Sequence, residues 1–426
     1  MSTSSQIWLK EEKTDFFLKS VAFLISPVLG LLAALPRLNT RSSFLVFLLS
    51  LTLFGLTMIV PEHWSEKQNL DAIVYRSRFE SAINTNMHDL PTYLQTVRAY
   101  EGNTSTDIDA YDRVLAFIVA HLSDNYHVYF MFVALIYTGF MLKSMRYLVS
   151  EDNYTFSVTC LILLFFFTAS QIYLASVVRF FTALWIAVYA FFRIFIDHRK
   201  TALLWLCITP FVHASFFIIF PILCLWLVIR KSNRMAFTLV AASFLLSAFA
   251  VQLLSLIVAV LPDGMSAHYS SYLNAWYIQK INEGGSGYIW VVRIFEFAVR
   301  LSINLAAAYM AWRYKEHILG TKAQPLYFLM LAFIAFCNFT FMVPSVGSRF
   351  FMFVFPLFAY IWLVCFSSDS AANHRILYPF AGLYLFFFFF LPWSIYLLPA
   401  LRPYAALWNS DILLMSPFYL IYHYML

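Results

Sequence analysis

Runs of about 20 apolar residues recur along the whole chain, each long enough to cross the hydrocarbon core of a bilayer as a helix. They lie near 19–36, 42–60, 126–146, 156–174, 177–196, 236–261, 288–312, 325–343, 350–366 and 376–398. The tail, 404–426, reads as one more span or as an interfacial helix. Backbone groups cannot stay unpaired in lipid, and a barrel strand would alternate polar and apolar residues instead of running continuously. With 62% hydrophobic and 12% charged residues among 426, the chain lies far outside the soluble range. The sequence therefore predicts an all-α, polytopic integral membrane bundle of roughly 11 to 13 spans.

Charge sets the expected orientation. Arg37 and Arg41, Lys143 and Arg146, Arg193 with Arg199 and Lys200, Arg230 with Lys231 and Arg234, and Arg313 with Lys315 mark cytoplasmic loops. The net charge of +6 is mostly this loop arginine and lysine, which reports orientation and gives no reason to expect a nucleic-acid partner. Residues 1–18 form a polar, interfacial N-terminal segment without the pattern of a cleavable signal, and 19–426 form one transmembrane domain. Large outer-face loops are expected at 61–125 and 262–287. The five cysteines, Cys160, Cys207, Cys224, Cys337 and Cys365, all lie in apolar runs and read as small core residues, with no metal-site spacing among them.

Residues 201–229 resist simple counting. Basic loops flank both ends, yet about 29 residues are too few for two full spans. Pro210 and Pro221 interrupt the run and His213 sits between them. The expectation is a broken helix: two half-helices or a re-entrant hairpin, with His213 near the tip. Broken helices at membrane depth survive where they are buried in protein or line a wet cavity. One long kinked helix with a satisfied core histidine is the competing reading.

Arg293, Glu296 and Arg300 share one face of the span 288–312. Charges within a membrane helix face a bundle interior or a polar cavity, so this face points to a cleft; a structural ion pair is the alternative. On the predicted topology Arg179, Arg349, His213 and this triplet all lie toward the outer side. Arginine stays charged under all conditions and grips phosphate through paired hydrogen bonds, so the cluster suits a lipid-linked phosphate or pyrophosphate. No Walker loop or Rossmann glycine pattern is present, and no ligand spacing calls for a metal. Outer-loop aromatics, Tyr272 and Trp276 among them, are candidate sugar contacts or members of an interfacial belt.

Four stretches carry a family resemblance: Asp71-x3-Tyr75-x3-Phe79; Val178-Arg179-Phe180-Phe181-Thr182-Ala183; Phe211-Val212-His213-Ala214-Ser215; and Gly347-Ser348-Arg349-Phe350-Phe351. In order and spacing the chain resembles the Wzy-type polysaccharide polymerases, in particular the EpsG-like branch. It departs from them in having Leu70 where glycine often precedes the aspartate, and Asp109 and Asp112 where a glutamate-proline pair is frequent.

The resemblance implies a GT-C-like glycosyltransferase acting at the outer face of a bacterial plasma membrane. A glycan on an undecaprenyl pyrophosphate carrier would pass to the sugar end of a second lipid-linked repeat unit. Arg179, Arg349, Arg293 and Arg300 would hold the pyrophosphate, and His213, Glu296, Asp71 and Asp112 are candidates for the catalytic base or its orienter, with His213 preferred. Between two arginines Glu296 would be the weaker base. Tyr75 joins Tyr272 and Trp276 as a sugar contact. No cofactor is expected; the partners are the lipid-linked oligosaccharide and membrane lipid, and a chain-length regulator is left open. An O-antigen ligase and a lipid-linked oligosaccharide flippase are the alternative functions. A glycan acyltransferase fits the placement of His213 poorly.

Overall fold

The protein's structure, a computed structural model, describes residues 10–62, 71–100, 110–149, 177–260, 289–366 and 414–425, together with 266, 269, 270, 273 and 274. Within these, side chains are not described at 96–100, 289–293, 295, 296, 344 and 345. The expected spans 156–174 and 376–398 lie outside the described residues.

Every element of regular structure among the described residues is helical. In chain order they are α1 (Lys13–Ile25), α2 (Pro27–Ala34), α3 (Arg41–Leu56), α4 (Asp71–Ile83), α5 (Leu90–Tyr100), α6 (Tyr111–Ala120) and α7 (Tyr126–Val149). Then come α8 (Val178–Phe195), α9 (Leu203–Val212), α10 (Ile219–Ile229), α11 (Asn233–Leu246), α12 (Ala250–Ala259) and α13 (Ile289–Arg313). The last are α14 (Gln324–Phe339), α15 (Pro344–Phe351), α16 (Val354–Phe366) and α17 (Pro417–Met425). Five stretches among the described residues are long and apolar enough to cross a membrane: Tyr126–Val149, Val178–Phe195, Asn233–Ala259, Gln324–Met342 and Val346–Cys365. The expected all-α, membrane-spanning architecture is borne out.

Two boundaries differ from the sequence reading. The run at 19–36 is two helices, because Pro27 has no amide hydrogen to continue α1 and holds Ser26 extended at φ −157° and ψ 139°. Ser26 then caps α2 by accepting from the Val28 amide at 3.2 Å. The stretch 61–125, read as a loop, contains the three helices α4, α5 and α6. Ala72, Ile73, Tyr75, Phe79 and Ala82 are all buried, at helical spacing, and this apolar stripe packs α4 on α6.

The centre of the bundle is α14, which packs against α8, α10, α11, α13, α15 and α16. Its residues Leu326 to Ala335 are all buried, as expected of a helix that is apolar on every side. On the other flank α3 crosses α7 at Gly55, where a Cβ would lie 2.3 Å from Ala134 Cβ and 2.5 Å from the Phe130 carbonyl oxygen. Small residues at such crossings let membrane helices approach closely. α17 docks on α3, and Asn125 Nδ2 donates to the Tyr424 carbonyl at 2.8 Å.

A charged latch ties the N-terminus to the α2–α3 turn. The buried Lys19 ammonium donates to Glu11 at 2.8 Å, Asp15 at 2.8 Å and Thr40 at 3.0 Å. Burial alone would raise the Asp15 pKa. The hydrogen bond and charge of Lys19, with the charge of Arg37, outweigh that and hold it below its ordinary value.

Candidate active site

Arg179 is the second residue of α8. A helix N-terminus carries partial positive charge, so a cation gains nothing from standing there; an arginine and that terminus together favour an anion. Arg179 Nε donates to the Tyr75 hydroxyl at 3.2 Å, and its guanidinium lies 5.7 Å from the Tyr75 ring centre. Tyr75 is only 2% exposed, and burial pushes its hydroxyl up to about 12, so it stays protonated at neutral pH. Asp71 lies one turn earlier on α4, is exposed, and acts electrostatically on Tyr75.

The neighbouring residue Phe180 is the hub of the site. Its ring centre is 5.5 Å from the His213 ring, 5.5 Å from Phe350 and 5.2 Å from Phe216, and the Arg349 guanidinium lies 5.9 Å from it. α8, the helix break and α15 thus meet at one side chain. Behind them Phe333 and Phe353 stack at 4.8 Å, forming an apolar wall.

His213 sits where α9 ends. It is extended, at φ −153° and ψ 119°, and a 3-10 turn, Ala214–Ile218, leads into α10. Pro210 falls within α9 and Pro221 within α10. The two halves face different partners, α9 packing on α8 and α10 on α14. Two other segments reach the break: the Ala110 amide donates to the Phe211 carbonyl at 2.9 Å, and the Tyr269 hydroxyl to the Ala214 carbonyl at 3.2 Å. His213 Nδ1 accepts from the Ser215 amide at 3.2 Å and lies 2.8 Å from Ser215 Oγ. An acceptor nitrogen bears no proton, so the neutral ring carries its hydrogen on Nε2.

The remaining sequence candidates make other contacts or lie outside the described residues. Asp112 is fully buried and ion-paired with Arg78. Arg300, 4% exposed, donates to the Cys337 carbonyl at 2.6 Å and lies against the rings of Phe341 and Phe351, tying α13 to α14 and α15. One turn on, Asn304 and Asn338 exchange amide hydrogen bonds, the shorter at 3.0 Å. Arg293 and Glu296 are on α13, but their side chains are not described. Tyr272 and Trp276 lie outside the described residues. Among the described residues no group of acidic, histidine and cysteine side chains could hold a metal ion.

The site thus joins pieces of four separated motifs, and the family comparison covers all four. The model of the EpsG family matches residues 46–405. The chain belongs to the EpsG family. The family resemblance carried by the four motifs is borne out, and membership indicates a multi-pass membrane protein of the polysaccharide polymerase kind. No curated protein and no solved structure matches the chain.

Two residues of this site were given no role from the sequence: Arg78 and, within the second stretch, Phe180. Arg78 follows Tyr75 by three positions and so shares its helix face, a signal that the motif spacing itself contained. Phe180 gave no such signal, since its importance comes only from what folds around it.

Proposed function

We propose that this EpsG-family chain extends a polysaccharide at the outer face of a bacterial plasma membrane, using a glycan carried on undecaprenyl pyrophosphate as donor. The observation that carries the reading is the start of α8, where Phe180 meets His213 and Arg349 and the preceding residue, Arg179, meets Tyr75. Two permanent cations and a neutral N–H donor, set against an apolar wall, suit the charge that develops on a departing pyrophosphate.

In the proposed reaction an acceptor hydroxyl oxygen bonds to the donor's anomeric carbon as the bond from that carbon to the phosphate oxygen breaks. The electron pair leaves with undecaprenyl pyrophosphate. Arg179 and Arg349 bind the leaving group directly, and His213 donates to it from Nε2. Arg300 braces α13 against α14 and α15, and Arg293 and Glu296 are kept as candidates for binding the pyrophosphate and for orienting the arginines of α13. The hydroxyl proton goes to Asp71, the exposed carboxylate one turn from Tyr75. Among the other carboxylates, Asp112 is buried against Arg78. Tyr75, expected from the sequence as a sugar contact, is buried and holds Arg179 instead, which leaves Tyr272 and Trp276 as the proposed sugar contacts.

A ladder of products from purified protein and lipid-linked repeat units tests the proposal. Transfer to a lipid A core instead would move the chain to ligase chemistry, and flipping without transfer would make it a transporter.

A further inference from the structure

Two guanidinium groups contact the Tyr75 ring. Arg179 is one; the other is Arg78, whose guanidinium carbon lies 5.6 Å from the ring centre. Arg78 is held from two sides. Its guanidinium is ion-paired with Asp112, and its backbone carbonyl accepts from the Tyr93 hydroxyl at 2.9 Å. Asp112 is fully buried, and its second oxygen, Oδ1, has no hydrogen-bond partner among the described residues. No solvent reaches that oxygen, so an acceptor sugar would not reach it either, and the carboxylate's charge serves Arg78.

We infer that Arg78 and Asp112 are positioning residues, which fix the Tyr75 ring and, through its hydroxyl, the Nε edge of Arg179. This rests on the pyrophosphate role proposed for Arg179. Buried ion pairs have well-defined geometry, and removing one partner strands the other charge. An arginine near the end of a helix would otherwise sample many rotamers and snorkel toward headgroups. A buried tyrosine whose ring meets both guanidiniums and whose hydroxyl accepts from Arg179 confines it. The chain Asp112–Arg78–Tyr75–Arg179 joins α6, α4 and α8, so the packing of α4 on α6 is transmitted to the side chain that meets the ligand.

The test is a titration of purified protein in lipid nanodiscs with undecaprenyl pyrophosphate, with thermal unfolding followed in parallel. Tyr75→Phe removes the hydroxyl and keeps the ring. It is expected to weaken binding about tenfold, the effect of losing one hydrogen bond to a charged group, without moving the unfolding midpoint. The same loss is expected in an Arg349→Lys background. In an Arg179→Lys background, which keeps a charge but lacks Nε, Tyr75→Phe is expected to add nothing. Arg78→Gln should follow the same pattern, and Tyr75→Phe carries the test if that variant fails to fold. Equal losses in both lysine backgrounds, or no loss in either, would overturn the positioning role while leaving the pyrophosphate reading intact. A wild-type protein that does not bind the probe would overturn both.

Discussion

Arg179 Nε donates to the Tyr75 hydroxyl at 3.2 Å, across 104 positions of sequence. This bond joins the first of the four stretches, on α4, to the second, on α8. Phe180 then joins the second to the third and fourth.

His213 is expected to act as a donor, because the Ser215 amide occupies Nδ1. His213→Gln offers an amide N–H near the position of Nε2 and should retain a measurable rate. His213→Ala removes the donor and should lower the rate about 100- to 1000-fold, the usual effect of losing one donor to a developing negative charge. Initial rates of the two variants on the same lipid-linked substrate decide it; equal inactivity of both would favour a base.

Asp71→Asn keeps the shape of the side chain and removes its ability to take a proton. The expected result is a loss of about 100-fold or more in turnover, with undecaprenyl pyrophosphate binding unchanged. If turnover is unchanged, the proton acceptor lies elsewhere.

Gly347 lies within α15, two residues before Arg349. A Cβ there would lie 2.7 Å from the Thr340 carbonyl oxygen, too close for either backbone to stay in place. Gly347→Ala is expected to displace α15, shift Arg349 and weaken donor binding at least tenfold. Wild-type affinity in that variant would show that the position of Arg349 does not matter.

Arg300 donates to the Cys337 carbonyl and lies against the rings of Phe341 and Phe351 within the bundle. Arg300→Ala should therefore reduce stability as well as activity, by about 2 kcal/mol, the scale of a hydrogen bond to a charged group. Asn304→Ala, one turn away, should reduce stability alone. Thermal unfolding in detergent separates the two; an unchanged midpoint in Arg300→Ala would assign that residue to the ligand instead.

Much of the membrane architecture was legible because apolar length is a direct physical demand of the bilayer. The break at His213 was legible for a related reason: two prolines and flanking basic loops left no room for two full spans. The break between α1 and α2 was readable in principle from Ser26-Pro27, but overall apolarity concealed it. The helices α4 to α6 were missed because polar composition was taken for loop, although Asp71 to Ile83 has a helical stripe. What could not be read was which charges meet. In sequence Arg179 opens one apolar run and Arg300 shares a face with Arg293 and Glu296 in another, and neither pattern says what the guanidinium meets. Only the fold places one at a helix N-terminus beside Tyr75 and the other against the Cys337 carbonyl.

The most direct test of the central claim is an in vitro assay of purified wild-type and Arg179→Ala protein with lipid-linked repeat units, resolved by size. The account predicts a ladder spaced by one repeat unit for the wild type, and its loss in Arg179→Ala at unchanged protein abundance. A full ladder from Arg179→Ala would contradict it.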